Sequence, residues 1–526
     1  MNTTLVVEYL FYVEKRRDNI INKQFSKKSN KRKFLLVSPM LDFGPFLPIN
    51  ISIIIAILEK AGYEIKLFDT TFYKHPVDDS WADDSIKIGI FKPVNWDGYG
   101  MDDLKEDYIK DFKVLIKNFK PDFIGISIFT TFNEKIALSL IDAVDDDFNG
   151  KVIVGGIHTY INLDRVKTYK KIDAIIPGEC EDVLLDALDF LCNDKNDRDV
   201  IIPNFVYRNG NKWISSGKYI VSDFESIPYL NWDYFDKRNF FRPFEGKILR
   251  MGHVEMSRGC PFGCSYCINE HFHDQFHNFW RVKSVDRMLD EVRYLKDKYN
   301  IDSIKIWDDD FLAIGRKKIV EVTKGLKEMD LKFLCHSRPE HMNKENIKTL
   351  AKNGCIQIGV GVESGNPEYR IKMLKRRMPD EKIIEAFKNC REYNIIASAY
   401  CMIGMPDETR KDILSTARLL RKANPHVIVH AIFGPYEGNS LYEYAKRKGY
   451  VDENVDYQNL TKSYLKMPSI SQKEVEKLNK TFILYSRLDD SYYPKIKKAE
   501  EDNKIFQNLI KMIITYPKNN KCEKFK

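Results

Sequence analysis

Apolar runs and amphipathic stretches alternate along residues 33–193. Phe34–Val37 is a short apolar run closed by Ser38 and Pro39. Ile49–Lys60 has helical length and stops at Gly62. Glu64–Phe68 reads as a second strand with Asp69 at its end, and residues 73–103, rich in Asp, Pro, Gly and Trp, as an irregular insertion. A helix over 104–118 leads to the strand Phe123–Ile128, a helix near 133–145 and the strand Val152–Val154, which ends in Gly155 and Gly156. Ala174–Ile176 closes with Pro177 and Gly178, and a last helix starts at Glu181. Such alternation predicts an α/β unit with a doubly wound parallel sheet. Its ligand is expected beyond the carboxyl ends of the strands.

Residues 200–247 break the rhythm: Phe205–Arg208, the turn Asn209-Gly210-Asn211 and Lys212–Ile214 predict a hairpin in an otherwise extended aromatic linker. From residue 248 the alternation returns. Val285, Met288, Leu289, Val292 and Leu295 carry helical spacing. Strands recur at Ser303–Trp307, Phe333–His336, Gln357–Val362, Ala397–Ile403 and Val427–Phe433, with helices at about 315–329, 343–353, 380–393 and 408–422. With the strand leading into Cys260 these make six βα units, short of the eight of a closed TIM barrel, so an open partial barrel over 248–440 is expected. Residues 441–526 read as helical and polar.

Composition adds exclusions. The chain has 526 residues, 43% hydrophobic and 13% aromatic, as a multi-domain globular protein should. Its net charge is +8, but residues 1–33 hold nine Lys/Arg against Glu8, Glu14 and Asp18, so the remainder carries only +2. That predicts a solvated basic tail over 1–32 and no nucleic-acid partner. No run reaches the roughly 20 apolar residues of a membrane span, and charges such as Glu8, Glu14 and Arg16 interrupt any cleavable signal. A cytoplasmic protein is expected, whose ten cysteines are thiols or metal ligands. Cys335, Cys355 and Cys401 sit in apolar runs and read as buried side chains.

Only Cys260, Cys264 and Cys267 cluster, spaced CxxxCxxC in a loop with Gly and Pro. Three thiolates can hold a four-iron cluster and leave one iron open to a small molecule. The alternative is zinc, with His271, His273 or His277 as fourth ligand.

This loop, with Tyr266 inside it at the end of the first barrel strand, resembles the radical S-adenosylmethionine (SAM) superfamily. Further matches fall at later strand ends: Trp307-Asp-Asp-Asp-Phe311, Ser337-Arg-Pro339, Gly361-Val-Glu-Ser-Gly365 and Met402-Ile-Gly-Met-Pro-Asp-Glu-Thr409. The resemblance covers roughly residues 250–445. It implies a 4Fe-4S cluster on the three cysteines, with SAM chelating the open iron. Tyr266 then lies beside SAM, Asp308 or Asp310 accepts from its ammonium and Arg338 pairs with its carboxylate. Glu363 and Ser364 bond the ribose, and the Ile403-Gly404 backbone passes beside adenine. Asp309 is expected only to cap the following helix.

The first block resembles the flavodoxin-like cobalamin-binding domain that precedes many such barrels. The matching residues are Ser38-Pro39 with the Gly44-Pro45 loop, Leu58-Glu-Lys-Ala-Gly62, Gly125-Ile-Ser-Ile-Phe-Thr-Thr131, Val154-Gly-Gly-Ile-His158 and Pro177-Gly-Glu179. Gly155 and Gly156 are read as making room for a bulky ligand, with Ser127 and Thr130 as donors and Gly178 and Glu179 beside it. The domain spans 33–199 on this reading. The loop Met40–Pro48 lacks the DxHxxG of histidine-ligating cobalamin domains, and His75 and His158 lack that context, so no protein nitrogen is expected on cobalt.

The resemblance implies reductive cleavage of SAM to a 5′-deoxyadenosyl radical, using an electron donor such as a flavodoxin or ferredoxin. Methylation of an unactivated carbon, or of phosphorus, in a small molecule through methylcobalamin is the expected outcome. The alternatives are oxidative cyclisation of a tetrapyrrole or other metabolite and, from another class, a corrinoid-binding sensor. Methylthiotransferases of tRNA are excluded because no cysteine precedes Cys180.

Overall fold

The computed structural model describes residues 31–40, 46–74, 92–192, 202–218, 220, 221, 223–452 and 461–515. The basic tail up to residue 30, the Gly44-Pro45 loop, His75 and residues 516–526 lie outside these, as does 75–91 of the expected insertion.

The first sheet contains β1 (Lys33–Ser38), β2 (Glu64–Asp69), β3 (Phe123–Ser127), β4 (Lys151–Gly156), β5 (Ala174–Pro177), β6 (Val206–Asn209) and β7 (Lys212–Ser215), in the order β2-β1-β3-β4-β5-β6-β7. The first five are parallel. Buried on both faces, β1 and β3 are almost wholly apolar, as strands covered by helices on either side must be. The chain leaves β1 towards β2 and returns on the other side to β3. The carboxyl ends of β1 and β3 therefore open a crevice at the point where strand order reverses.

The second sheet runs β16-β15-β14-β13-β12-β9-β8. β8 (Phe241–Phe244) is antiparallel to β9 (Lys247–Val254). From β9 the sheet continues in parallel through β12 (Ser303–Ile306), β13 (Lys332–Ser337), β14 (Cys355–Glu363), β15 (Ile396–Ile403) and β16 (Val427–Ile432). These are the six parallel strands expected of the partial barrel. A two-stranded ladder, β10 (Ser257–Arg258) with β11 (Arg281–Val282), brackets the cysteine loop. Local chemistry sets the helix ends: Thr409 and Asp412 form a capping box for Arg410–Ala423, and Asn424 closes it in the left-handed conformation. The carboxyl-terminal helix Gln472–Arg487 packs on β16 and on Arg410–Ala423.

The segment read as a linker is structural. Its hairpin, β6 and β7, extends the first sheet antiparallel to β5, while β8 joins the second. Between them Trp232 is fully buried against Phe240 and Tyr299, with ring centroids 5.5 and 5.0 Å away. A Cβ on Gly252 of β9 would lie 2.6 Å from the Trp232 ring. Asn231 donates to Glu59 of the helix Ile49–Lys60 at 2.8 Å. One continuous core thus runs from that helix through Trp232 to Met288 and Val292. The aromatics face two partners at once and so lack the period of a strand or helix.

Candidate active site

The cysteine loop leaves β10 and ends where the helix Ile268–Gln275 begins, with Cys267 as N-cap. Cys260 and Cys264 are buried. Burial pushes the Cys260 and Cys267 thiols up to about 12, so iron must displace their protons for them to bind. The Arg338 guanidinium donates to Cys264 Sγ at 3.1 Å, Arg376 approaches the same sulfur at 3.9 Å, and Asn269 donates to Cys267 Sγ at 3.5 Å. Donors aimed at sulfur suit a thiolate-bound cluster, whose charge they stabilise. Arg338 and Arg376 each also leave a buried Nε without a partner. His273 bonds the Cys260 carbonyl and so braces the loop. Among the described residues no three His, Cys, Asp or Glu side chains, the three cysteines included, are arranged to hold a single metal ion.

Beside Cys264 lies a polar group. Arg376 donates to Tyr266 Oη at 3.0 Å and to the Gly361 carbonyl at 2.7 Å, and it stands 3.9 Å from the Glu363 carboxylate. Glu363 has φ +66°, a left-handed backbone for a non-glycine residue, at the irregular end of β14. Such strain is held where the side chain must point in one direction. Arg338 also pairs with Glu340 at 2.6 Å and lies 3.9 Å over the Phe262 ring.

Several of the expected SAM residues have protein partners. Asp308 is buried and accepts from the Met256 amide at 2.8 Å and the Ser257 hydroxyl at 2.6 Å, tying β12 to β10. Asp310 is likewise taken by Ser337 at 2.8 Å and His341 at 2.9 Å. Both face protein. Asp309, expected only to cap, instead lines the cavity described below and accepts from Asn269 at 3.0 Å. Burial, with Asp310 nearby, pushes it up to about 6. Ser364 turns into its own loop, its hydroxyl accepting from Asn366 and its carbonyl from Arg370. The Ile403 carbonyl accepts from Phe433, and a Cβ on Gly404 would lie 2.7 Å from Val475, so packing of the helix Gln472–Arg487 accounts for that glycine. Arg376 was missed: in sequence it belongs to the basic run Lys375-Arg-Arg377, which resembles a solvated surface.

Between the two sheets lies a cavity of about 570 Å³. One wall is the carboxyl end of the first sheet, with Ser127, Thr130, Gly155, Gly156, Gly178 and Glu179 all on it. The other carries Arg258, Gly259, Asn269 and Phe272 from the cysteine loop and its helix, with Trp307 and Asp309 from the end of β12. The residues expected around cobalamin thus converge, but several do so for other reasons. A Cβ on Gly156, at φ +100°, would lie 2.4 Å from the Ile128 carbonyl oxygen, so chain packing alone demands this glycine. Thr130 spends its hydroxyl on the Asn133 capping box. Ser127 accepts from Asn50 at 2.8 Å and keeps its own proton free to donate. Glu179 pairs with Arg281 at 2.6 Å and Arg258 at 3.4 Å, joining the two walls. Burial raises its pKa, but Arg258 and Arg281 outweigh that and hold it below the usual carboxylate range. His158 is 2% exposed and faces Glu134 at 3.2 Å, away from the cavity lining.

No helix of the described residues is long and apolar enough to cross a membrane. Residues 254–420 match the Radical SAM superfamily model. The chain is 26% identical over 349 residues to an uncharacterized methyltransferase of Pyrococcus horikoshii, covering 66% of this chain and 74% of that one. It is 24% identical over 494 residues to the cytidylyl-2-hydroxyethylphosphonate methyltransferase of Streptomyces wedmorensis, covering 85% and 88%. In fold it resembles TsrM of Kitasatospora setae, a radical SAM methyltransferase solved with cobalamin and a [4Fe-4S] cluster. The TM-score is 0.61 at 13% identity, over 93% of this chain and 99% of that one. With the three-cysteine loop at the carboxyl end of six parallel strands, residues 254–420 form a radical SAM domain.

Proposed function

We propose that the chain is a cobalamin-dependent radical SAM methyltransferase acting on a small molecule. The observation that carries this reading is the cavity between the sheets. It brings the carboxyl ends of a doubly wound sheet face to face with the flanks of the cysteine loop. A group on the first sheet and a group at the cluster can then act on one substrate between them. Its lining is largely apolar, with Phe129, Phe272, Phe276 and Phe279 among the contributors, which suits a large macrocycle and keeps water from a radical. When bound, the cluster and SAM supply a 5′-deoxyadenosyl radical that removes hydrogen from an unactivated carbon, and cobalamin supplies the methyl group. The relatives support methylation: two are named as methyltransferases, one of them of a phosphonate.

The chain's own residues bind, orient and exclude. Cys260, Cys264 and Cys267 would hold the cluster. Arg338 and Arg376 donate towards Cys264 and receive the SAM carboxylate. Glu363 and Tyr266 position the nucleoside, and Asp309 replaces Asp308 and Asp310 as the carboxylate facing the cavity. Ser127 would bond the cobalamin side chains, and His158 is held by Glu134. Reduction of the cluster would need an electron donor such as a flavodoxin or ferredoxin.

The test is an anaerobic reaction of reconstituted protein with cobalamin, methyl-labelled SAM and candidate metabolites, followed by chromatography. Label in a product carbon or phosphorus, with deoxyadenosine formed, supports methylation. Deoxyadenosine with a new ring and no label assigns cyclisation, the activity named for a relative in Cereibacter sphaeroides that is 22% identical over 367 residues. Cobalamin binding without SAM cleavage would leave only a corrinoid-binding protein.

A further inference from the structure

The cysteine loop has two sides. Gly259, Asn269 and Phe272 turn one of them to the cavity between the sheets. The other side forms a separate surface recess of about 410 Å³, lined by Phe262, Arg338, Glu340, Ile371, Lys375 and Arg377. Phe262 stands between the ligands Cys260 and Cys264, flanked by Pro261 and Gly263, both exposed. A Cβ on Gly263 would meet nothing within 4 Å, so among the described residues none covers the loop at that point. The Arg338 guanidinium lies 3.9 Å over the Phe262 ring and donates to Cys264 Sγ at 3.1 Å. One hydrogen bond thus separates the recess from a cluster ligand.

The recess combines apolar surface with positive charge. Ile371, on the short helix Pro367–Lys372, is 47% exposed. A single exposed isoleucine needs no explanation, but this one shares a recess with Phe262 and three cations. Two carboxylates answer those cations: Glu340 pairs with Arg338 at 2.6 Å, and the buried Glu270 takes Lys375. Glu270 also accepts from the Ser440 amide and hydroxyl, both at 2.8 Å, so its charge is shared inwards. Lys375 keeps 55% of its side chain exposed. Arg377 is exposed and has no ion pair among the described residues. On the neighbouring helix Lys372 and Glu368 cancel each other at 2.5 Å. The surface around the loop is therefore left positive.

We propose that this recess docks an acidic flavodoxin-type electron carrier, a small protein that presents the apolar ring edge of its flavin among carboxylates. The assignment rests on the radical SAM reading above, in which the cluster takes one electron for each SAM cleaved. The flavin edge enters against Phe262 and Ile371, and the carboxylates around it meet Lys375 and Arg377. An apolar centre with a charged rim of the opposite sign is the ordinary anatomy of a specific transient interface. A recess of this volume suits a protruding ring edge, whereas a carrier whose redox group lies beneath its own backbone would leave it empty. The reduced flavin loses one electron, the oxidised cluster gains it, and no bond forms or breaks.

The test uses the reconstituted full chain and a purified acidic flavodoxin. Affinity is measured by calorimetry with oxidised flavodoxin, which needs no turnover. The rate of cluster reduction is then followed anaerobically, with reduced flavodoxin and separately with dithionite. Affinity should fall as ionic strength rises and the charges are screened. Arg377→Glu should weaken it about tenfold and slow reduction by flavodoxin in proportion. Reduction by dithionite, which needs no docking, should stay unchanged. Ile371→Asp carries the same readouts should Arg377→Glu misfold. Equal flavodoxin affinity in wild type and both variants overturns the surface, whether or not an acidic ferredoxin binds. Equal slowing with dithionite also overturns it, since a damaged cluster would then explain the loss. Wild-type protein that fails to cleave SAM under dithionite sinks the enzyme reading alone. Cleavage under dithionite, with a flavodoxin affinity indifferent to both variants, sinks this proposal alone.

Discussion

Arg338 donates through Nη1 to Cys264 Sγ at 3.1 Å while its Nη2 holds Glu340 at 2.6 Å. The cluster ligand and the loop after β13 are therefore one unit, and the sulfur nearest the polar group of Tyr266, Arg376 and Glu363 carries a fixed positive neighbour. Hydrogen bonds to cluster sulfurs raise the reduction potential. Arg338→Met should lower the cluster potential and weaken SAM binding about tenfold, roughly one charge-assisted bond. Anaerobic potentiometry and SAM titration check both, and an unchanged potential would remove Arg338 from this role.

The cysteines separate cleanly. Reconstituted protein should hold about four irons, and Cys260→Ala, Cys264→Ala or Cys267→Ala should abolish the cluster absorption. Cys335→Ala, on the packed outer face of β13, should keep its iron and lose about 1 kcal/mol of stability through a small cavity. Stoichiometric zinc in wild type would contradict the assignment.

Cobalamin binding needs a probe that packing does not already explain. Gly156→Ala would press on the Ile128 carbonyl, so lost cobalamin in that variant reports only a damaged sheet end. Phe129 lines the cavity and is 44% exposed. Phe129→Ala should reduce retained cobalamin several-fold while changing stability by less than about 0.5 kcal/mol. Electron paramagnetic resonance of bound cob(II)alamin should lack nitrogen splitting from a protein ligand; clear splitting would assign a histidine to cobalt.

Glu179 joins the two cavity walls through Arg281 and Arg258. Its folded pKa is depressed, so its contribution is fully present above the ordinary carboxylate value of about 4.3 and is lost as pH falls through the lower folded value. Glu179→Gln should cost about 3 kcal/mol at pH 7, because it takes the paired carboxylate from Arg281, while Arg258 keeps Glu181 and Glu255. The gap between variant and wild type should close only in acid. A gap that persists unchanged below the folded value would mean that the ion pairs do not carry the effect.

Much of this protein was legible in its sequence because the information is local or periodic. Apolar runs of strand length and helices such as Arg410–Ala423, bounded by a capping box and a left-handed Asn424, specify two largely parallel α/β sheets. The CxxxCxxC spacing names its chemistry without any fold. Tertiary structure decided where side chains point once regular structure ends. Three consecutive aspartates follow β12, where the two-residue period has already stopped, so only the folded chain could show that Asp308 and Asp310 turn into protein and Asp309 into the cavity. Arg376 reaches Cys264 across 112 residues, and Trp232 joins two cores that no single period describes.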